Sequence, residues 1–135
     1  MREILFRAKG VDSGKWVYGF YVSQYGAHEI VLRDGADEDG FESRHVIPET
    51  VCQWTGLTDK NGKKIFEGDI LHIPCRPEND CIVEWSIGRF RFRWVNKDKR
   101  SEYGSDYNAV CCCQRVTEQR NIVGNIFDNP EIVRN

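Results

Sequence analysis

Residues 54–70 contain the feature that most constrains the fold, two strand-like runs interrupted by the dipeptide Asn61-Gly62. Asn-Gly favours positive φ at consecutive positions, which suits a tight hairpin or a bulged turn. A second interruption follows at Glu67-Gly68-Asp69. We expect Gly68 to adopt a backbone conformation that other residues resist, and Asp69 to accept backbone N–H bonds. The block therefore predicts β-structure, and it contains no catalytic motif.

Most of the remaining chain consists of short β-branched and aromatic runs separated by turn residues. Pairs of such runs flank residues 11–14 and residues 86–88, so the sequence predicts a hairpin at each place. Residues 63–67 are expected to form one helical turn, and residues 109–117 fit either a strand or a short helix. No long segment has a helical apolar stripe. We predict a mainly β, small barrel-like domain with an N-terminal hairpin, an SH3-like pattern in the central and C-terminal part, and at most short helices.

Length and charge narrow the class of protein. The 135 residues fit a single domain, with an N-terminal hairpin region at about 1–47 and a barrel-like region at about 48–129. No run approaches the ~20 apolar residues of a membrane helix, and charges interrupt the N-terminal segment where a signal peptide would be apolar. We therefore expect a cytoplasmic protein with no membrane partner. The net charge of −2 excludes a uniformly basic surface for nucleic acid, although a local basic patch stays open.

The six cysteines do not form a Cys-x-x-Cys pair, so the usual spacing of a structural zinc site is absent. The nearest that the sequence comes to a set of metal ligands is His72, Cys75 and Cys81. We favour the alternative interpretation, in which the cysteines are buried thiols. We predict no metal and no cofactor. The run Cys111-Cys112-Cys113 leaves open whether these thiols are core or reactive. The acidic loop at residues 34–40 does not fit the register of a calcium-binding loop and is expected to be solvated.

Three arginines alternate with aromatic residues in the predicted strand at 89–94. Arg89, Arg91 and Arg93 should share one face, and Lys97 extends the positive charge beyond the strand. One hypothesis is a binding surface for phosphate or for an acidic protein, since the guanidinium group binds either bidentately. The other hypothesis, favoured by the net negative charge, is a solvated face opposite an aromatic core face.

Tryptophans and edge strands provide the other hints of binding. We expect Trp54, Trp85 and Trp94 to supply core, whereas any that is exposed would mark an interface. A small β domain also has edge strands that must be covered, and self-association is one way to cover them. A homo-oligomer is therefore a further hypothesis.

Enzyme motifs are missing from the sequence. It has no phosphate-binding loop, no His-Glu-x-x-His and no Gly-x-Ser-x-Gly. His28, His45 and His72 are scattered, so we predict no catalytic residue. An uncharacterised enzyme remains an alternative that would need a pocket where a histidine meets carboxylates or cysteines.

The chain resembles the YopX family of phage and prophage proteins along nearly its full length. The central stretch Thr55–Ile70 is the specific match, and shorter matches are Arg2–Ala8, Trp16–Tyr21, His45–Val51, Ile82–Trp85 and Val123–Glu131. The resemblance implies a mostly β domain encoded on a mobile element and acting inside the host cell, and it implies no activity. Within the central match, the residues that we expect to have structural roles are Gly56, Asn61, Gly62, Glu67, Gly68 and Asp69.

The sequence thus predicts a phage or prophage accessory protein that binds a host or phage protein, or itself. The alternatives are a nucleic-acid-binding module that uses the face of Arg89, Arg91 and Arg93, and an uncharacterised enzyme.

Overall fold

A computed structural model describes residues 2–74, 76, 79–86, 88–96 and 114–133. The strands in these ranges are β1 (Phe6–Lys9), β2 (Trp16–Gln24), β3 (Ala27–Leu32), β4 (Ser43–His45), β5 (Cys52–Thr58), β6 (Lys64–Phe66), β7 (Asp69–His72), β8 (Cys81–Ser86), β9 (Arg89–Trp94) and β10 (Asn121–Asn125). The helices are α1 (Gln114–Thr117) and α2 (Pro130–Val133), with a 3-10 turn at Pro48–Thr50. No helix in the described ranges is long and apolar enough to cross a membrane.

The strands form antiparallel sheets, which confirms the prediction of a mainly β fold with only short helices. No sheet closes into a barrel within the described ranges, and the SH3-like pattern stays a prediction. The chain divides into two compact units, Met1–Trp54 and Thr55–Asn135, and β5 begins in the first unit and ends in the second. That the whole chain forms one domain stays a prediction as well.

In the first unit the strand order is β4-β3-β2-β1-β5. The predicted N-terminal hairpin is confirmed, because β1 pairs with β2 from Phe6 opposite Gly19 to Lys9 opposite Trp16. Since neighbouring residues of a strand point to opposite faces, one face of β1–β3 supplies the core. That core consists of Ala8, Ile30 and Val46, with Phe6, Val17, Tyr21, Leu32 and Val51 packed against it.

The segment after β4 returns to β1. Gly10 forms an isolated bridge with Val46, and the Ile47 N–H donates to the Lys9 carbonyl at 2.9 Å. The other half of β1 pairs with β5, where Arg7 lies opposite Cys52. Both sides of β1 are therefore paired, with β2 on one side and with β5 and the Val46 segment on the other.

In the second unit a four-stranded sheet has the order β10-β7-β8-β9. The predicted hairpin around residues 86–88 is confirmed, with Ser86 opposite Arg89 and Cys81 opposite Trp94. The buried residues of its core are Ile65, Leu71, Cys81, Val83, Phe92 and Trp94, and Val116 and Ile122 pack against them.

The expected helical turn at residues 63–67 is wrong, because Lys64–Phe66 is strand β6. The Thr55 hydroxyl donates to the Ile65 carbonyl at 2.8 Å, which ties β6 to β5. Ile65 is fully buried in the core, so burial and pairing across the hairpin decide the conformation of a segment too short to show a pattern.

Asp59 organises the turn between β5 and β6. Its N–H donates to the Lys63 carbonyl and its own carbonyl accepts the Gly62 N–H, as in a bulged three-residue loop. Gly62 has φ +80°, whereas the prediction of positive φ also at Asn61 is wrong. The buried Asp59 carboxylate accepts the N–H groups of Asn61 and Lys63, and its second oxygen accepts the Ile122 N–H at 3.0 Å. One carboxylate therefore connects the turn to β10.

The second interruption of the central block behaves as expected. Gly68 has φ +84°, a conformation that a side chain would strain, and its N–H donates to the Val83 carbonyl at 2.7 Å. The buried Asp69 carboxylate accepts the Phe66 N–H at 2.8 Å. Both residues thus shape the entry from β6 into β7.

Candidate functional site

The predicted arginine face exists on β9, and a carboxylate on β8 occupies part of it. Glu84 lies directly opposite Arg91 in the hairpin. The Arg91 Nε donates to Glu84 Oε1 at 2.8 Å, and the Arg93 Nε donates to Glu84 Oε2 at 2.9 Å. Arg89 is exposed at the end of the row, and Lys97 lies outside the described residues.

The arrangement weakens the case for a phosphate-binding stripe. Both oxygens of Glu84 already accept hydrogen bonds from arginines, and the three side chains are 17–29% exposed. A phosphate would have to compete with this carboxylate for the donors of Arg91 and Arg93. The geometry therefore agrees better with an internally paired, solvated face than with a nucleic-acid interface.

A second surface lies on the outward face of β2 and β3. Tyr18, Phe20 and Val22 alternate along β2, and Val31 on β3 lies directly opposite Phe20. Each of these four side chains is exposed by 39–50%. Single exposed apolar residues are ordinary, whereas neighbouring ones that form a continuous patch mark sites of interaction. We call these four residues the apolar face.

Sequence reasoning placed residues 15–23 on a strand and did not identify this face. The run from Trp16 to Val22 is apolar on both sides of β2, interrupted only by Gly19. A strand that is apolar on both faces is typical of one that is covered on both faces. In the described residues the core covers one face of β2 and leaves the other exposed. The apolar character of both faces is therefore the signal by which the sequence could have revealed this surface.

Opposite charges lie at the two ends of the apolar face. At one end Lys9 lies opposite Trp16 in the register, and its Nζ lies 5.4 Å from the Trp16 ring centroid. At the other end Glu29 lies opposite Val22, where its carboxylate receives a 3.4 Å bond from the Ser43 hydroxyl. The surface is therefore basic at one end, apolar in the middle and acidic at the other.

The tryptophans divide between core and surface. Trp94 is buried, as expected, and Trp54 is half-buried. Trp85 is 53% exposed on β8, so the expectation of core is wrong there. Its ring packs edge-to-face on Phe90 with centroids 4.9 Å apart. Trp85 lies on the face opposite to Glu84 and continues the core layer toward the hairpin turn.

The histidines make separate contacts. His28 Nδ1 and the Tyr21 hydroxyl lie 2.6 Å apart, and His72 Nδ1 lies 2.7 Å from Asp80 Oδ1. His45 Nε2 is 3.7 Å from the Glu29 carboxylate and largely exposed. In the described part of the chain no three His, Cys, Asp or Glu side chains come together to hold a metal ion.

The two described cysteines, Cys52 and Cys81, are buried thiols. The Cys81 thiol donates to the Asn79 carbonyl at 3.2 Å, and burial raises its pKa to about 12. A thiol with that pKa is almost wholly protonated at neutral pH and is not a nucleophile. Cys52 donates to the Thr50 carbonyl. Cys75 and the run at 111–113 lie outside the described residues.

The acidic loop is held together from within. Asp37 Oδ1 accepts the N–H groups of Asp39 and Phe41, each at 3.0 Å. Arg44 donates from its Nε to Asp37 Oδ2 at 2.7 Å and stacks on the Phe41 ring. The hydrogen bond from Arg44 is the largest cause of a lowered pKa at Asp37. An arginine thus compensates carboxylates that the sequence suggested were simply solvated.

The residues singled out in the central block lie in turns and strands. Gly56 has φ +87° within β5, and Glu67 lies half-buried in the turn before β7. With Asn61, Gly62 and the Gly68-Asp69 pair, they shape the connections of the second unit. None of their described contacts brings together an acid, a base and a nucleophile.

Fold and surface together define a mainly β protein whose described residues present two candidate binding faces and no catalytic cluster. The chain belongs to the YopX protein family, whose model matches residues 5–134. No curated protein matches the chain. Among solved structures it is similar to protein EF1440 from Enterococcus faecalis, with a TM-score of 0.63 and 21% identity over 99% of this chain and 100% of that one. At that identity the likeness concerns the fold alone.

Proposed function

We propose that the protein is a phage- or prophage-encoded accessory protein that acts in the bacterial cytoplasm by binding another protein or a second copy of itself. The proposed binding surface is the apolar face of Tyr18, Phe20, Val22 and Val31. An SH3-like arrangement of the central and C-terminal strands belongs to the same proposal, and no enzymatic step is part of it.

The single observation that supports the proposal is the exposure of apolar side chains on β2 and β3. Burial of apolar area contributes roughly 25 cal/mol per Å², so a partner that covers several such side chains gains substantial free energy. The arginine face offers less, because Glu84 already binds Arg91 and Arg93. Protein binding through the apolar face is therefore favoured over nucleic-acid binding.

Val31→Asp tests this surface, with Val123→Asp as its matched control. Both valines lie on strands, and they are 39% and 43% exposed, so the two changes have similar costs for folding. Tagged wild-type and variant proteins would be produced in a bacterial host with an untagged copy of the chain, and recovered proteins identified by mass spectrometry. We expect a protein, either a host protein or the untagged copy, that wild type and Val123→Asp recover and Val31→Asp loses.

A nuclease-treated arm and a salt step separate the alternatives. Binding through the apolar face should survive nuclease and change little with salt. Recovery that disappears with nuclease, or affinity that falls steeply with salt and weakens in Arg91→Glu, would replace the proposal by nucleic-acid binding. Equal recovery by the two valine variants would reject the apolar face.

A further inference from the structure

The exposed β2–β3 surface has a charge pattern that fits its own copy. We propose that the apolar face packs against the same face of a second chain in a two-fold symmetric dimer, in which Lys9 of each copy meets Glu29 of the other. This inference rests on the proposed function, since it names the partner of the same surface.

The strand register gives the positions of the charges. Lys9 lies on β1 opposite Trp16, and Glu29 lies on β3 opposite Val22. Strand β2 runs between them, so the line from Lys9 to Glu29 crosses the apolar face diagonally. Its midpoint falls on β2 between Tyr18 and Phe20, at the centre of that face.

A two-fold axis lying in the interface through this midpoint, perpendicular to the diagonal, exchanges the two ends of the surface. The basic end of one copy then covers the acidic end of the other, and the contact occurs twice because the interface is isologous. Phe20 and Tyr18 of both copies lie close to the axis, where apolar contact is most fully buried. A two-fold axis parallel to the diagonal would instead place like charges together, which is unfavourable.

Glu29 has room for a further cation. Its side chain is 34% exposed, and the described contacts of its carboxylate are the 3.4 Å bond from Ser43 and the 3.7 Å approach of His45. Both are longer than a charge-assisted hydrogen bond of about 2.8 Å. A lysine from a second copy would supply the shorter contact.

The size of the surface predicts weak association. Strand β2 has nine residues, which span about 30 Å at ~3.3 Å per residue. The four strands β1–β4, spaced by ~4.8 Å, form a sheet less than about 20 Å wide. The outward side of this sheet therefore covers roughly 500 Å². A standard interface buries about 800 Å² per partner, which is more than this face provides. The dimer should therefore depend on concentration over the micromolar range.

A charge-exchange experiment tests the pairing. The full-length protein and the variants Lys9→Glu, Glu29→Lys and Lys9→Glu/Glu29→Lys would be compared by sedimentation equilibrium over a concentration series. We expect the wild type to dimerise, each single variant to associate about tenfold more weakly, and the double variant to return to within about threefold of wild type. Restoration by the double variant requires that Lys9 and Glu29 meet, because two independent losses would add.

Circular dichroism and thermal unfolding would establish that each variant is folded, since Lys9 also contacts Trp16. Should a charge variant fail to fold, Val31→Asp against Val123→Asp tests whether the apolar face forms the dimer contact, with dimerisation lost only in the first. A monomeric wild type at millimolar concentration, or a double variant weaker than both singles, would overturn the two-fold dimer. If the wild type is monomeric while Val31→Asp still loses a host protein, the proposed function stands and only this inference fails. If the wild type is monomeric and Val31→Asp recovers every protein that Val123→Asp recovers, both the dimer and the proposed function are rejected.

Discussion

The two longest hairpins in the described part of the chain, β2–β3 and β8–β9, place their apolar residues differently. In β8–β9 the arginines point to one side with Glu84, and Phe92, Val83 and Trp94 point into a core. In β2–β3 one side supplies the core of the first unit, and the other side exposes aromatic and aliphatic residues to solvent. The β8–β9 hairpin pairs two of its three arginines with its own glutamate. The outward face of β2–β3, in contrast, is left exposed by the described residues.

This contrast shows that a charged pattern and an available charged surface are separate properties. An arginine row becomes a binding site only when its donors are not already used, and here two of the three arginines share one carboxylate. Exposed apolar side chains are harder to bury within a small unit, because only a second layer of secondary structure can cover them.

The largest expected effect tests whether β2 and β3 approach as closely as described. In Gly19→Ala the new Cβ would lie 1.9 Å from the Val31 carbonyl oxygen, which is backbone and cannot move aside cheaply. We expect the free energy of unfolding to fall by about 3 kcal/mol or more in chemical denaturation. Gly14→Ala is the control, since its Cβ would meet nothing within 4 Å and only its φ of +68° is strained. A loss of about 1 kcal/mol is expected there. Similar losses in the two variants would contradict the close pairing.

Glu84→Gln tests whether β8–β9 is neutralised from within. The variant removes the charge that Arg91 and Arg93 share, so we expect stability to fall by about 1–2 kcal/mol. Non-specific affinity for DNA should rise, and the slope of its logarithm against salt should steepen by about 1–2. Glu118→Gln removes the same charge from an exposed position and should change neither property by a comparable amount. If the wild type already binds DNA as strongly and as salt-dependently as Glu84→Gln, the contrast between the hairpins disappears.

Trp85→Thr asks whether the exposed tryptophan belongs to the second hairpin alone. Loss of its edge-to-face contact with Phe90 should cost about 1 kcal/mol, measured by thermal unfolding. Threonine keeps the β propensity of the position, and recovery of a partner through the apolar face should be unchanged. A variant that retains stability and loses the partner would move the interface to β8–β9.

The smallest effect concerns the loop after β3, where charges are also paired locally. The Arg44 hydrogen bond lowers the pKa of Asp37 in the folded protein. The stability that this bond contributes is therefore complete above the ordinary pKa of about 3.9. It disappears as the pH falls through the lowered value. Lower protection factors of the Asp39 and Phe41 amides at low pH, taken relative to the intrinsic exchange rate at each pH, would report this, and Asp37→Asn should show low protection at every pH. Protection factors independent of pH in the wild type would contradict the pairing.

Residue identity was sufficient for several elements of the fold. A glycine at Gly62 or Gly68 supplies a positive φ locally, and the turn at residues 86–88 fixes the register of its hairpin. That register also implies that Glu84 faces Arg91, so the pairing of the arginine row could have been deduced. Strand β6 could not, because three residues have no period and their state depends on β5.

The candidate site was less predictable than the fold, for a physical reason. The sequence of β2 shows that both of its faces are apolar, but coverage of a face depends on what other parts of the chain pack there. Trp85 illustrates the same limit, since a tryptophan at the end of a strand lies beyond the core that its neighbours reach. Exposure is a property of the assembled layers, and a strand pattern cannot encode it alone.

The bond from Ile122 to the Asp59 carboxylate has a consequence for the order of folding during synthesis. The two residues are 63 positions apart, and the Lys60 N–H also donates to the Arg120 carbonyl. A ribosome therefore releases the most recognisable block of the chain well before the strand that completes it. Until β10 emerges, Asp59 has no distant partner and β7 lacks one neighbour, so this half of the nascent chain depends on contacts of high sequence separation that form slowly.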